Sequence, residues 1–98
     1  MIEIRKTDVF SKGFDGLKDR LGKARIQARI DRLELGHFGD TSTVGEGIGE
    51  LRIFCSPGYR VYYVKRGEVC VVLLSGGDKG TQNSDIVKAK KLARQLED

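Results

Sequence analysis

The sequence contains few of the residues from which metal sites and disulfide frameworks are built. Its 98 residues include two cysteines and one histidine, which at these spacings do not form a metal site. Cys55 and Cys70 each lie in an apolar stretch, which is typical of buried free thiols, although a cross-strand disulfide remains an alternative. We therefore expect no metal and no cofactor.

Long apolar runs are also missing from the sequence. A membrane-spanning helix needs about 18 or more consecutive apolar residues, and no segment approaches that length. No signal-peptide pattern is recognisable either, so we expect neither export nor a membrane. These features predict a protein of the reducing cytoplasm.

What is present is a short chain with a modest excess of positive charge. Residues 1–98 suit a single domain. Lysine and arginine number 18 against 14 aspartate and glutamate, which gives a net charge of +4 and an isoelectric point of about 9.2. This balance mildly favours an anionic partner such as nucleic acid.

The first half of the chain predicts one strand followed by two helices. Residues 2–6 alternate apolar and charged side chains, the period of a half-buried strand, and Asp8 offers an N-cap for the next helix. Gly22 is predicted to separate this helix from a second one over residues 23–35, which Gly36 ends. The expected buried stripes are Phe10, Phe14, Leu17 and Leu21 in the first helix, and Ile26, Ile30 and Leu33 in the second.

The second half predicts a three-stranded meander and a closing helix. Residues 37–47 contain turn formers without periodicity, so we expect an exposed loop there. Strands are predicted at 50–55, 59–66 and 68–75, and the last is apolar enough to be buried on both faces. The stripe of the closing helix is Ile86, Ala89, Ala93 and Leu96. The predicted fold class is α+β, of order β-α-α-β-β-β-α, with a mainly antiparallel four-stranded sheet, an N-terminal helical hairpin and a C-terminal helix.

Cationic side chains distinguish the predicted meander from an ordinary small sheet. Arg52 and Arg60 are expected on one face of neighbouring strands, separated by a few ångströms to about 10 Å. Two like charges so close repel each other unless an anion lies between them. They therefore either hold a phosphate or pair with a carboxylate of the sheet, Glu50 or Glu68. Lys79 follows two glycines and precedes a helix, where backbone amides and an ammonium can converge on a phosphate.

The second predicted helix carries another row of cations, which includes Arg25 and Arg29. This row is either an ordinary solvated face, partly offset by neighbouring carboxylates, or a surface that docks structured RNA through phosphate contacts. His37 has no evident catalytic partner, and a solvated or capping role suits it better. No paired carboxylates suggest acid–base hydrolysis.

Four motifs in this order resemble the RelE/ParE toxin superfamily, in its phage-derived, HigB-type addiction module killer branch. They are "GELR", "GYRVYY", "LLSGGDKGTQ" and "DI..AK.LA", and with the helical pair they cover almost the whole chain. The resemblance implies the same fold and a toxin neutralised by an antitoxin, often a helix-turn-helix DNA-binding protein. Most characterised RelE-like members cleave messenger RNA on the ribosome. The alternatives are a ParE-like inhibitor of DNA gyrase and an inactive module that only binds antitoxin.

The resemblance also assigns roles to cations of the meander. Arg60 is the arginine of the "YR" motif, Lys79 is the basic residue after the glycines, and Arg52 occupies a basic position on the preceding strand. In RNA cleavage these three would stabilise the pentacoordinate phosphorane that forms as the ribose 2′-hydroxyl attacks the adjacent phosphate.

Substrate contacts follow from the same comparison. Tyr62 and Tyr63 are the nearest phenols. They are either core aromatics whose hydroxyls reach the edge of the sheet or substrate contacts, and in the second case we assign Tyr62 to the catalytic group and Tyr63 to stacking on a base. Where some relatives have a tyrosine or histidine on the final helix, this chain has Gln82 and its polar neighbours. Gln82, Arg25 and Arg29 are the other predicted substrate-binding residues.

Overall fold

The computed structural model describes residues 1–96. It contains one sheet of five strands with helices on both faces. The elements in chain order are β1 (Glu3–Lys6), α1 (Asp8–Asp15), α2 (Arg20–Glu34), β2 (Thr41–Gly45), β3 (Ile48–Arg52), β4 (Arg60–Arg66), β5 (Cys70–Gly77), a 3-10 turn (Lys79–Thr81) and α3 (Gln82–Gln95). The strand order is β1-β5-β4-β3-β2. The pair β1–β5 is parallel and every other neighbouring pair is antiparallel. Within residues 1–96, no helix has the length and apolar character needed to cross a membrane.

The core has two halves, one on each face of the sheet. Val71 and Leu73 of β5 face the cluster formed with α1 and α2, whereas Val72 and Leu74 face the cluster closed by α3. This alternation confirms that the apolar strand is buried on both faces, because successive side chains of a strand point to opposite sides. The predicted α+β class is confirmed as well.

The predicted strand count was wrong, because residues 37–47 contain β2 rather than only an exposed loop. β2 pairs with β3 through a tight turn in which Glu46 and Gly47 have φ of 54° and 76°. Positive φ at both central positions matches the twist of paired strands. The sequence signal was weak because β2 is an edge strand whose only large apolar side chain is Val44.

The predicted helix boundaries also need correction. Thr7, not Asp8, caps α1 by accepting the backbone N–H of Phe10. The break between the helices precedes Asp19, which caps α2, so Gly22 lies inside the first turn of α2. A β-carbon at Gly22 would overlap the ring of Tyr59 and the carboxylate of Asp19. The glycine is therefore explained by close packing and not by a chain break.

Because the break between the helices lies earlier than predicted, one residue of the predicted buried stripe is exposed. Leu21 was expected to be buried on the first helix, but it lies in the first turn of α2 and is 63% exposed. Phe10 is buried, and Phe14 and Leu17 pack at the margin of the same cluster.

A glycine in β3 offers a direct test of the sheet packing. Gly49 lies opposite Tyr63, and a β-carbon there would overlap the buried Tyr63 ring. We expect Gly49→Ala to lower the free energy of unfolding by about 1–3 kcal/mol, measured by urea denaturation, because the ring has to move within a packed core.

Gly13→Ala is the matched control for that substitution. Gly13 lies within α1, and apart from its chain neighbours and the backbone of its own helix no atom lies within 4 Å of the position that a β-carbon would occupy there. Alanine should stabilise the helix by about 0.5–1 kcal/mol. Equal effects of the two substitutions would contradict the packing of Tyr63 over Gly49.

Candidate functional site

The predicted cations come together at one end of the sheet. Arg52 ends β3 and lies directly opposite Arg60, which begins β4. Arg60 in turn lies opposite Gly77 at the end of β5, and Lys79 follows two residues later in the 3-10 turn. The end of β3, the start of β4 and the turn after β5 therefore each bring one cation to the same edge, because successive strands of an antiparallel meander run in opposite directions.

A buried carboxylate organises this edge. Glu50 is 2% exposed and accepts hydrogen bonds from Arg60 Nη1 at 3.1 Å, Tyr62 Oη at 3.1 Å and Gln82 Nε2 at 2.9 Å. Arg52 Nη1 lies 3.7 Å from Glu50 Oε1. Glu50 is thus the anion between the two arginines, and of the two possibilities left open by the sequence the structure shows the carboxylate pairing.

Arg52 has additional partners on the segment before β3. Its Nη2 and Nε donate to Asp40 Oδ1 at 2.7 and 3.1 Å, and its Nη1 donates to Ser42 Oγ at 2.9 Å. The hydrogen bond from Arg52 lowers the pKa of Asp40 below its ordinary value. Sequence reasoning missed Asp40 and Ser42 because it treated their segment as a loop. The pairing of β2 with β3 puts them beside Arg52.

The two tyrosines lie on opposite faces of β4. Tyr62 is fully buried in the α3 cluster and donates its phenol hydrogen to Glu50. Burial, followed by the charge of Glu50, raises the pKa of the Tyr62 phenol well above its ordinary value. Tyr62 is therefore a poor proton acceptor in this arrangement, contrary to the catalytic role suggested by the sequence.

Tyr63 belongs to the other half of the core. It is 6% exposed, its hydroxyl is 2.9 Å from Thr41 Oγ1, and its ring packs against Phe38 with centroids 5.5 Å apart. A base cannot stack on a ring whose faces are covered by core side chains. Tyr63 therefore cannot stack on a base in this conformation, contrary to the prediction. Because side chains alternate along a strand, its ring points into the core on the side of the sheet covered by α1 and α2.

Lys79 differs from the two arginines in being exposed and unpaired. It has no ion-pair partner among residues 1–96. The turn that carries it is fixed by Asp78, whose carboxylate accepts the backbone N–H of Gly80 at 2.8 Å. The ammonium is therefore attached to an ordered backbone while its charge remains available to a ligand.

The helical arginines Arg25 and Arg29 lie on α2, on the other face of the sheet from the carboxylate of Glu50. The guanidinium of Arg29 donates to three backbone carbonyls, those of Phe38, Asp40 and Arg52, and burial lowers its pKa. These contacts give Arg29 a structural role, since they join α2 to the end of β3. Arg25 is exposed on the same helix.

The Glu50–Arg60 pair allows a test of the site as a structural unit. Both side chains are largely withdrawn from water, at 2% and 13% exposure. We expect Arg60→Ala to cost about 2–4 kcal/mol of unfolding free energy, because a buried carboxylate loses its closest cation. In the double variant Glu50→Gln/Arg60→Ala the loss should be smaller than the sum of the two single losses by about 1 kcal/mol or more.

An exposed ion pair supplies the control for that cycle. Arg5 and Glu3 are 65% and 58% exposed, so Arg5→Ala should leave the urea midpoint unchanged. Additive effects of the Glu50 and Arg60 substitutions would show that the two side chains do not interact as the structure indicates.

Comparison with known proteins agrees with the architecture. No family model matches the chain. An uncharacterised protein of Haemophilus influenzae is 50% identical over 95 residues, which covers 97% of this chain and 96% of that protein.

Two solved structures share the fold at low sequence identity. An arginine-to-alanine double mutant of the Escherichia coli toxin RelE in the free state matches with a TM-score of 0.69 and 17% identity, over 91% of this chain and 93% of that one. The intact E. coli RelBE toxin-antitoxin complex matches with a TM-score of 0.63 and 19% identity, over 80% and 96%. These matches confirm the predicted RelE-like fold. The chain belongs to one family with the Haemophilus influenzae protein, and its fold is that of RelE.

Proposed function

We propose that this protein is the toxin of a type II toxin-antitoxin module and acts as a ribosome-dependent messenger RNA endonuclease. The observation that carries the proposal is the set of three cations, Arg52, Arg60 and Lys79, at one edge of a RelE-like sheet. Cations grouped at one end of a sheet suit the phosphodiester group of RNA. The HigB-type motifs of the sequence support the same assignment.

The chemistry that fits this edge is attack of a ribose 2′-hydroxyl on the adjacent phosphate. The 2′-hydroxyl gives up its proton to water as its oxygen forms a bond to phosphorus, and negative charge accumulates on the phosphoryl oxygens. The bond from phosphorus to the 5′-oxygen then breaks, and that oxygen takes up a proton from water to leave as a hydroxyl. Fixed cations favour this charge in the transition state, and removal of one such donor typically costs a few kcal/mol. In this proposal the site contributes electrostatic stabilisation, and we expect no metal to take part.

The three cations contribute unequally in this proposal. Arg60 and Arg52 already share Glu50, and Arg52 also binds Asp40, so a phosphate has to compete with carboxylates for them. Lys79 has no such competitor within residues 1–96. We therefore assign the main phosphate contact to Lys79, with the arginines orienting the phosphate through their remaining donors. Tyr62 and Gln82 hold Glu50 in place, which makes them positioning residues.

The proposed partners follow from the same assignment. One structural relative is a toxin-antitoxin complex, and we propose a cognate antitoxin, encoded beside this protein and carrying a helix-turn-helix DNA-binding domain. The other partners are the ribosome and its messenger RNA, in the cytoplasm. A basic protein of net charge +4 suits both an acidic antitoxin segment and RNA.

Induced expression in a bacterial host separates the candidate activities. We expect growth to stop with a fall in protein synthesis, and mapping of 5′ ends on polysomal RNA should show messages cut within ribosome-bound codons. Coexpression of the adjacent antitoxin gene should restore growth. Continued translation with accumulating DNA breaks would instead identify a gyrase inhibitor, and the absence of any growth defect would identify a module that only binds antitoxin.

Lys79 gives the clearest residue-level test, because its replacement removes charge without breaking a buried contact. We expect Lys79→Ala to lower cleavage by roughly 100-fold or more while the thermal midpoint stays the same. Lys79→Arg should recover a substantial part of the activity, because it restores the charge.

Lys18→Ala is the matched control, since Lys18 is an exposed lysine in the connection between α1 and α2. It should cleave like the unchanged protein. If Lys79→Ala and Lys18→Ala retain equal activity, the proposed phosphate contact is wrong. Arg60→Ala alone is a less clear test, because loss of the Glu50 pair also affects stability.

A further inference from the structure

We propose that a groove between α2 and the end of β3 is a second RNA-binding site, in which an unstacked base lies on Phe54 and the adjoining phosphates meet Arg25 and Arg32. This inference deepens the proposed function and rests on it for the identity of the ligand. It concerns docking of RNA and not the cleavage step.

The groove is defined by one helix face and one turn. Its lining consists of Arg25, Ala28, Arg29, Arg32, Ile53 and Phe54, and its volume is about 280 Å³. Three of these six residues carry guanidinium groups, and no lining residue within the described range 1–96 is acidic. A concave surface with one sign of charge attracts an anion.

One of the three guanidinium groups has a structural role, and the other two are available to bind a ligand. Arg29 is committed to backbone carbonyls and forms part of the groove floor. Arg25 and Arg32 are exposed and have no ion-pair partner among residues 1–96. They lie seven positions apart on α2, about two turns, so their side chains can contact successive phosphates of one strand.

Phe54 supplies the apolar element of the groove. Its side chain is 93% exposed, whereas the preceding Ile53 is 4% exposed and anchors the turn in the core. The backbone N–H of Ile53 donates to the carbonyl of Tyr59 at 2.9 Å, which closes the turn from the other side. The ring therefore projects into solvent from an ordered backbone and offers a face to a ligand.

This combination favours RNA over a protein partner. A stable protein interface covers roughly 800 Å² on each side and has an apolar centre of several residues, and one ring surrounded by arginines does not supply that centre. A base needs only one aromatic face for stacking, and the flanking phosphates need cations. Single-stranded segments of RNA offer both groups together.

The cation edge, formed by Arg52, Arg60 and Lys79, lies at the same end of β3 as the groove but on the opposite face of the sheet. Arg52 turns toward Glu50 on the α3 face, Ile53 enters the α2 core, and Phe54 projects outward two residues after Arg52. A strand of RNA held in the groove would thus reach the protein beside the proposed cleavage edge. Loss of the groove should weaken substrate binding more than it slows the bond-breaking step.

The test is fluorescence anisotropy with a labelled oligouridine of about 12 nucleotides, a length within the range covered by small single-strand binding domains. We expect Phe54→Ala to weaken binding roughly 5- to 150-fold, the range expected for loss of one stacked base, and Phe54→Tyr to restore it. Replacing Arg25 and Arg32 with alanine should also reduce the salt dependence of binding by about one released ion per arginine.

Val69→Ala is the matched control, because Val69 is an apolar residue, 68% exposed, in the turn between β4 and β5. It should bind the oligonucleotide like the unchanged protein. If Phe54→Ala does so too, the groove proposal is overturned, even where polysomal cleavage is observed. If Phe54→Ala weakens capture of the coexpressed antitoxin but not of RNA, the groove is a protein interface and the proposal is also wrong.

Failure of the proposed function would look different. In that case polysomal messages remain uncut, while Phe54-dependent binding of oligouridine still occurs and supports the groove as an RNA site. Lys18→Ala serves as the internal reference, since Lys18 lies outside both proposed surfaces and its replacement should leave cleavage and Phe54-dependent binding unchanged.

Discussion

The carboxylate of Glu50 is the group on which the arrangement at the sheet edge depends. Removing a carboxylate from water costs several kcal/mol, and this cost is offset only when cations and hydrogen-bond donors take the place of the solvent. Glu50 obtains these groups from three different elements: Arg60 and Tyr62 on β4, Gln82 on α3 and the more distant Arg52 on its own strand. The requirement to satisfy one buried charge thus ties the first residue of α3 to the sheet and sets the direction of two arginines.

The same requirement determines how much positive charge the edge can offer to a ligand. A cation that neutralises Glu50 cannot give its full charge to a phosphate. Lys79 lies on a separate turn and forms no ion pair with any carboxylate within residues 1–96. Charge in this site is therefore divided between a neutralised, well-oriented pair and one available ammonium. The arginines are therefore held in place before a ligand binds, while the ammonium of Lys79 attracts the anionic ligand.

The features that the sequence predicted well are those decided by local periodicity. The stripe of Ile26, Ile30 and Leu33 and the two-sided burial of β5 follow directly from spacing. The edge strand β2 was missed because a half-exposed strand with one apolar residue has almost no periodic signal.

Site details were harder to predict because they depend on contacts between distant segments. The proximity of Arg52 and Arg60 was expected from alternation and turn position, and the two residues do lie opposite each other on β3 and β4. Alternation also places Tyr62 and Tyr63 on opposite faces, but it says nothing of depth, and both proved to be buried under helices.

Arg29 connects the two surfaces that we assign to RNA. It lines the groove beside Phe54, and it donates to the carbonyls of Arg52 and Asp40, the two residues whose side chains pair at the cation edge. The backbone that presents Arg52 to one face of the sheet is therefore held by a helix on the other face. A guanidinium suits this position because it can donate to several carbonyls in one plane and keeps its charge when partly buried. The position of β3 at the cation edge is thus tied to the position of α2, so the geometry of one surface depends on the packing of the other.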